Sequence, residues 1–199
     1  MHIYAKTFKD AFLQVNKKII EEPDFISSSR IGDVFEVLSL TYTVQELSSY
    51  DFECKGIDRI TSEYANEFFN FLVSGDDSEE SAKTSFSDYE KIKGWIIQRP
   101  DVLPENFNNL YGPRIIRQLP SILSELKKKN SRRAVLHILL EEDNCLLNVD
   151  TELEFACTMD IMYQIRQGKL YTHCNMRSQN TAIVLQLDMF LQAKLAILI

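Results

Sequence analysis

Glycine and proline are scarce here, six and five in 199 residues, and the composition is 45% hydrophobic. Such a chain is long enough for one well-buried core and too short for two comfortable ones, so a single domain over 1–199 is expected. No internal repeat or low-complexity tract interrupts it. Bases are outnumbered, 22 against 29 acids, and the net charge of −7 argues against a broad electrostatic footprint on nucleic acid or an anionic membrane. Any anionic ligand must then be held by a local arginine cluster. No stretch has the apolar length of a membrane span, and the N-terminus lacks the order of a secretory signal, so a cytoplasmic protein is expected. The four cysteines (Cys54, Cys145, Cys157, Cys174) show no CxxC spacing and the three histidines (His2, His137, His173) do not cluster with them. No metal site is expected, and reduced thiols are the default in that compartment.

What is present is periodic. Tyr4, Phe8, Phe12, Val15 and Ile19 fall on one stripe of an opening helix that Pro23 stops. From Val34 to Val44 the alternation of Leu38, Leu40, Tyr42 and Val44 with Ser39, Thr41 and Thr43 predicts one long strand. Tyr64, Phe68, Phe71 and Leu72 have helical spacing over Thr61–Val73, followed by Ser74-Gly75 and an acidic loop to about Tyr89. Pro113 suits a first helical turn, and Ile116, Leu119, Ile122, Leu123 and Leu126 give that helix an apolar face running to Lys127-Lys128-Lys129. Strands are predicted over Arg132–Leu140, Leu153–Ile165 and Leu170–Arg177, the last two joined at Gln167-Gly168, and a closing helix over Ala182–Ile199. Helices interleaved with strands apolar on both faces indicate an α/β or α+β layer fold.

Chemistry concentrates on Cys157, in the run Glu154-Phe155-Ala156-Cys157-Thr158, and on Arg177-Ser178 twenty positions later across the expected hairpin. A thiol needs a neighbouring cation to populate its thiolate near neutral pH, and Arg177 on the adjacent strand can supply one. An isolated intracellular cysteine is more often a small core residue. Its surroundings point the other way: Cys157-Thr158 and Asn175-Met176-Arg177-Ser178, preceded by Tyr111-Gly112 and Asn130-Ser131-Arg132-Arg133. Together these motifs resemble the thymidylate synthase and deoxycytidylate hydroxymethylase superfamily, most strongly from Tyr111 to about Leu195.

The resemblance implies a thymidylate synthase-like fold: one large twisted mixed sheet, helices on one face, and a homodimer packed across the other. It implies that Cys157 adds to C6 of a pyrimidine nucleoside monophosphate, so that C5 can attack the methylene group of 5,10-methylene-tetrahydrofolate. Arg177 and Ser178 would hold the phosphate, with Arg30 from an early loop and Arg132 and Arg133 from the other subunit. Guanidinium forks match phosphate oxygens in a way that lysine does not. Glu67, in Asn66-Glu67-Phe68-Phe69-Asn70-Phe71-Leu72, matches the glutamate that organises water and moves protons at the base, and Tyr111 is a lesser member of that network. Thirty-one residues after Cys157 stands Asp188, where uracil-using members carry asparagine and cytidylate hydroxymethylases carry aspartate. A carboxyl group accepts from the cytosine amino group and, when protonated, donates to N3. The resemblance therefore implies hydroxymethylation of CMP or dCMP, with methylation of dUMP and a catalytically silent nucleotide-binding protein as alternatives.

The sequence departs from the family in three places. Asn180 replaces the aspartate that helps hold the pterin, and a glycine is absent from Thr181-Ala182-Ile183-Val184-Leu185. The sequence ends at Ile199, before the histidine and tyrosine with which relatives contact the sugar, so ribose and deoxyribose are not distinguished. Trp95 stands for the family's folate-side tryptophan, in a poorly matching context.

Overall fold

Thr7 and Asp10 start the first helix by capping each other. The Asp10 N–H donates to the Thr7 hydroxyl at 3.1 Å, and the Thr7 N–H donates to the Asp10 carboxylate at 3.3 Å. This computed structural model describes residues 1–29, 32–53, 61–91, 93, 110–148 and 155–199. In chain order the elements used below are β1 (His2–Ala5), α1 (Phe8–Glu21), β2 (Phe25–Ser29), β3 (Gly32–Glu36), β4 (Thr41–Val44), α2 (Ser62–Ser74) and α3 (Glu79–Ser85). They continue with α4 (Tyr111–Leu126), β5 (Ala134–His137), β6 (Thr158–Arg166), β7 (Lys169–Met176) and α5 (Leu185–Leu198). The chain is α+β and divides into two compact units, Met1–Ala65 with Asn180–Leu198, and Asn66–Gln179 with Ile199. No helix among the described residues is long and apolar enough to cross a membrane.

In the first unit, Phe8, Ala11, Phe12 and Val15 of α1 form one core with Ile3 and Ala5 of β1 and with Leu185, Met189 and Ala193 of α5. Tyr4 is not on that stripe. It lies in β1, where the two-residue alternation turns Ile3 and Ala5 inward and leaves Tyr4 74% exposed. The parallel pairing of β1 with β4 requires a crossover, which α1 and the β2–β3 hairpin provide. The long strand expected over Val34–Val44 is two strands with different partners. β3 pairs with β2, Ser39 takes a left-handed φ of 53°, and β4 pairs with β1. Alternation within the segment could not reveal that break, because it is set by tertiary pairing and not by side-chain pattern.

In the second unit, β5, β6 and β7 form an antiparallel sheet with α4 packed along β5 and β6. Gln167 and Gly168 join β6 to β7 with φ of 53° and 75°, the paired left-handed geometry of a two-residue hairpin turn. Gln118 of α4 closes the outer edge of β5, its amide donating to the His137 carbonyl at 2.7 Å and accepting from the His137 N–H at 3.0 Å. The acidic stretch after Gly75 is not only a loop. Ser78 caps α3, Lys83 pairs with Glu79 at 2.8 Å, and Phe86 is buried against Phe68 and Phe71 of α2. Gly112 lets α4 abut the end of α2, since a Cβ there would lie 2.7 Å from the Leu72 carbonyl oxygen. The described strands form three ladders, of two, two and three strands.

Candidate active site around Cys157

The short Gln167-Gly168 turn sets the register of β6 and β7 as far as Asp160–Asn175, and a one-residue shift beyond it, at Met159, delivers Arg177 to the residues preceding β6. The Arg177 main-chain N–H donates to the Cys157 carbonyl at 2.9 Å. Its Nε donates to the Ala156 carbonyl and its Nη2 to the Phe155 carbonyl, both at 2.9 Å. Nη2 also stands 3.9 Å from Cys157 Sγ, and the guanidinium lies over the Phe155 ring, 4.9 Å from its centroid. Two carbonyls and an aromatic face thus hold one cation against a half-buried thiol, while Arg177 and Ser178 remain exposed.

Tyr111, the first residue of α4, approaches from the other side. Its hydroxyl oxygen accepts the N–H of Cys157 at 3.0 Å and of Thr158 at 3.1 Å. The structure therefore brings together three of the expected residues: Cys157, Arg177 and Tyr111.

Glu67, half-buried on α2, accepts the Ser87 N–H at 3.1 Å and so fastens the segment after α3. Arg132 and Arg133 are exposed at the start of β5, and Arg133 Nε reaches Glu125 at 3.2 Å. Asp188 is half-buried in the first turn of α5, its N–H bonded to the Val184 carbonyl. Asn180 caps the turn before α5, its Oδ1 accepting the Ile183 N–H at 3.2 Å and its carbonyl the Val184 and Leu185 N–H groups. Arg30 and Trp95 lie outside the described residues.

Sequence reasoning missed a buried ion pair with one member on the same helix as Tyr111. Arg114 is 3% exposed and Asp143 fully buried, and they meet as a fork: Nη1 to Oδ2 at 2.7 Å and Nη2 to Oδ1 at 2.6 Å. Arg114 Nη1 also donates to the Ile138 carbonyl at 2.6 Å, and Asp143 Oδ2 accepts the Leu140 N–H at 2.9 Å. The available signal was phase, since Arg114 lies beside Ile115 and on the side of α4 that buries Ile122.

Glu125 gathers Lys128 Nζ and Ser131 Oγ at 2.5 Å and Arg133 Nε at 3.2 Å. The Lys128 hydrogen bond above all, then the Ser131 hydroxyl and the Arg133 charge, draw its carboxyl from the ordinary 4.5 down to about 2. A depressed carboxyl stabilises the fold above about pH 4.5 and loses that contribution as pH falls toward 2. In thermal melts at stepped pH, the Tm advantage of the native protein over Glu125→Gln is expected to close across that window. A gap that stays constant down to pH 2 rejects the assignment.

No family model matches this sequence, and no curated protein matches it.

Proposed function

We propose that this chain is a pyrimidine nucleotide C5 one-carbon transferase of the thymidylate synthase-like class, acting on CMP or dCMP. The observation that carries the reading is the Arg177 guanidinium held 3.9 Å from the Cys157 sulfur by carbonyls of the residues preceding it. A cation fixed there favours negative charge on sulfur, and an exposed guanidinium beside it suits a phosphoester. In the covalent step the Cys157 Sγ–C6 bond forms, the C5=C6 π pair moves to C5, and the C5 carbanion equivalent is then available to the incoming carbon. Methylene-tetrahydrofolate supplies that carbon. Among the described residues only Asn180 matches a folate-side position, and its amide oxygen accepts the Ile183 N–H.

Asp188 supports cytosine over uracil, because a carboxyl can pair with both the exocyclic amino group and N3. Homodimerisation across the sheet face opposite α4 belongs to the same reading. That face leaves His137, Tyr171 and His173 exposed, and Arg132 and Arg133 stand exposed at the start of β5. The large continuous sheet and the cytoplasmic location are further parts of it.

The Asn180 contact favours a second reading, a nucleotide-binding protein without turnover. The test is release of C5 tritium from CMP, dCMP and dUMP with methylene-tetrahydrofolate, together with nucleotide-induced shifts in Tm. Release from a cytosine nucleotide in preference to dUMP is expected. Release from dUMP alone corrects the base, thermal stabilisation without any release selects the silent reading, and neither response rejects the class.

A further inference from the structure

The ladder between β6 and β7 slips directly after Cys157: Thr158 pairs with Met176, but Asp160, two residues on, pairs with the very next residue back, Asn175. Met159 is the extra residue of a β-bulge, a device that bends a strand and re-aims the side chains beside it. A bulge is kept open only if the backbone groups it displaces find other partners. Here they do. The Met159 carbonyl accepts two N–H groups, from Ile138 at 2.9 Å and Leu139 at 3.0 Å. Directly before the bulge, the N–H groups of Cys157 and Thr158 go to the Tyr111 hydroxyl oxygen, at 3.0 and 3.1 Å.

The first turn of α4 supports both sides of this arrangement. Tyr111 and Arg114, three residues apart, project from the same helix face. Tyr111 takes the N–H groups before the bulge, and Arg114 takes the Ile138 carbonyl, whose own N–H reaches the bulged Met159. The carbonyls of Phe155, Ala156 and Cys157 are meanwhile committed to Arg177. The nucleophile's backbone is thus gripped through its carbonyls from β7 and through its N–H groups from α4.

We propose that Tyr111 is the positioning residue for Cys157: by accepting the N–H groups of Cys157 and Thr158, directly before the bulge at Met159, it aims the sulfur at the Arg177 guanidinium. This differs from a place in a proton network, because the phenol acts on the nucleophile's backbone. It takes from the preceding section only that Cys157 is the attacking atom.

Site-specific alkylation by iodoacetamide, read by peptide mass spectrometry to separate Cys157 from the other cysteines, tests it in the full-length chain. In Tyr111→Phe the Cys157 alkylation rate at pH 7 is expected to fall roughly fivefold or more, and the rising limb of its rate–pH curve to move to higher pH, with far-UV circular dichroism unchanged. A folded variant with the native rate and pH profile overturns the proposal. Amide hydrogen exchange in the unmutated protein is the second measurement, valid whether or not the variant folds. The Cys157 and Thr158 amides are expected to exchange as slowly as those in the interior of β6, and exchange at the rate of solvent-exposed amides overturns the proposal. Alkylation reads sulfur without turnover, so the two readings fail separately. Tyr111-dependent alkylation without tritium release rejects the transferase alone, and tritium release with Tyr111-independent alkylation rejects the positioning role alone.

Discussion

Replacing Cys157 by alanine is expected to abolish release of the C5 proton from CMP or dCMP, by on the order of 10⁴-fold or more, leaving only what binding and orientation supply. The loss should come without unfolding. The thiol is half-buried, and it stands 3.9 Å from both Arg177 Nη2 and the Phe155 carbonyl. The bonds that shape the segment are made by its backbone, with Tyr111 and Arg177, and a methyl side chain keeps them all. Tm is therefore expected to stay within a few degrees of the native value, and nucleotide to raise the Tm of both proteins alike. Cys157→Ser sharpens the test. It keeps the shape while raising the energy of the anion, so it should be nearly as inactive as alanine. Exchange at the native rate in either variant would remove the covalent step and with it the proposed class.

The parts legible in the sequence were those set by local pattern. Pro23, the Gly75 stop and the Gln167-Gly168 turn each force a backbone choice, and α1 does stop at Glu21, α2 at Ser74 and β6 at Arg166. The approach of Arg177 to Cys157 follows from that last turn only in part: the two-residue hairpin sets the register back to Asp160–Asn175, and the one-residue shift at Met159, which no local pattern announces, moves Arg177 from Thr158 to Cys157. Parts decided by distant partners were not legible. Alternation cannot say that β3 and β4 pair with different strands. Acidic composition hid α3, whose docking depends on Phe86 reaching the aromatic face of α2. At Asn180 the resemblance implies a contact to the pterin, and the structure gives the amide oxygen to the Ile183 N–H at the turn into α5.

Asp143→Ala is expected to be the most destabilising single change in the second unit, by about 3–5 kcal/mol, because it strands a guanidinium that is 3% exposed. Against a total stability of roughly 5–15 kcal/mol this approaches unfolding, and it corresponds to a fall in Tm on the order of 10 °C for a chain of this size. Nothing in Glu141-Glu142-Asp143 marks the third acid as the buried one; the short helical turn over Glu141–Asn148 selects it by placing it opposite Arg114. The cost belongs to the orphaned charge more than to the lost attraction, and a second substitution separates the two. In Arg114→Met with Asp143→Leu, both charges are gone and apolar volume replaces them, so the double variant should be more stable than Asp143→Ala alone. Recovery must stop short of native stability, because the Ile138 carbonyl and the Leu140 N–H lose their partners, and each unpaired buried backbone group costs about 1–3 kcal/mol. Chemical denaturation of the single and double variants measures both quantities. A double variant no more stable than Asp143→Ala would mean that the pair acts through its backbone contacts and not through its charge.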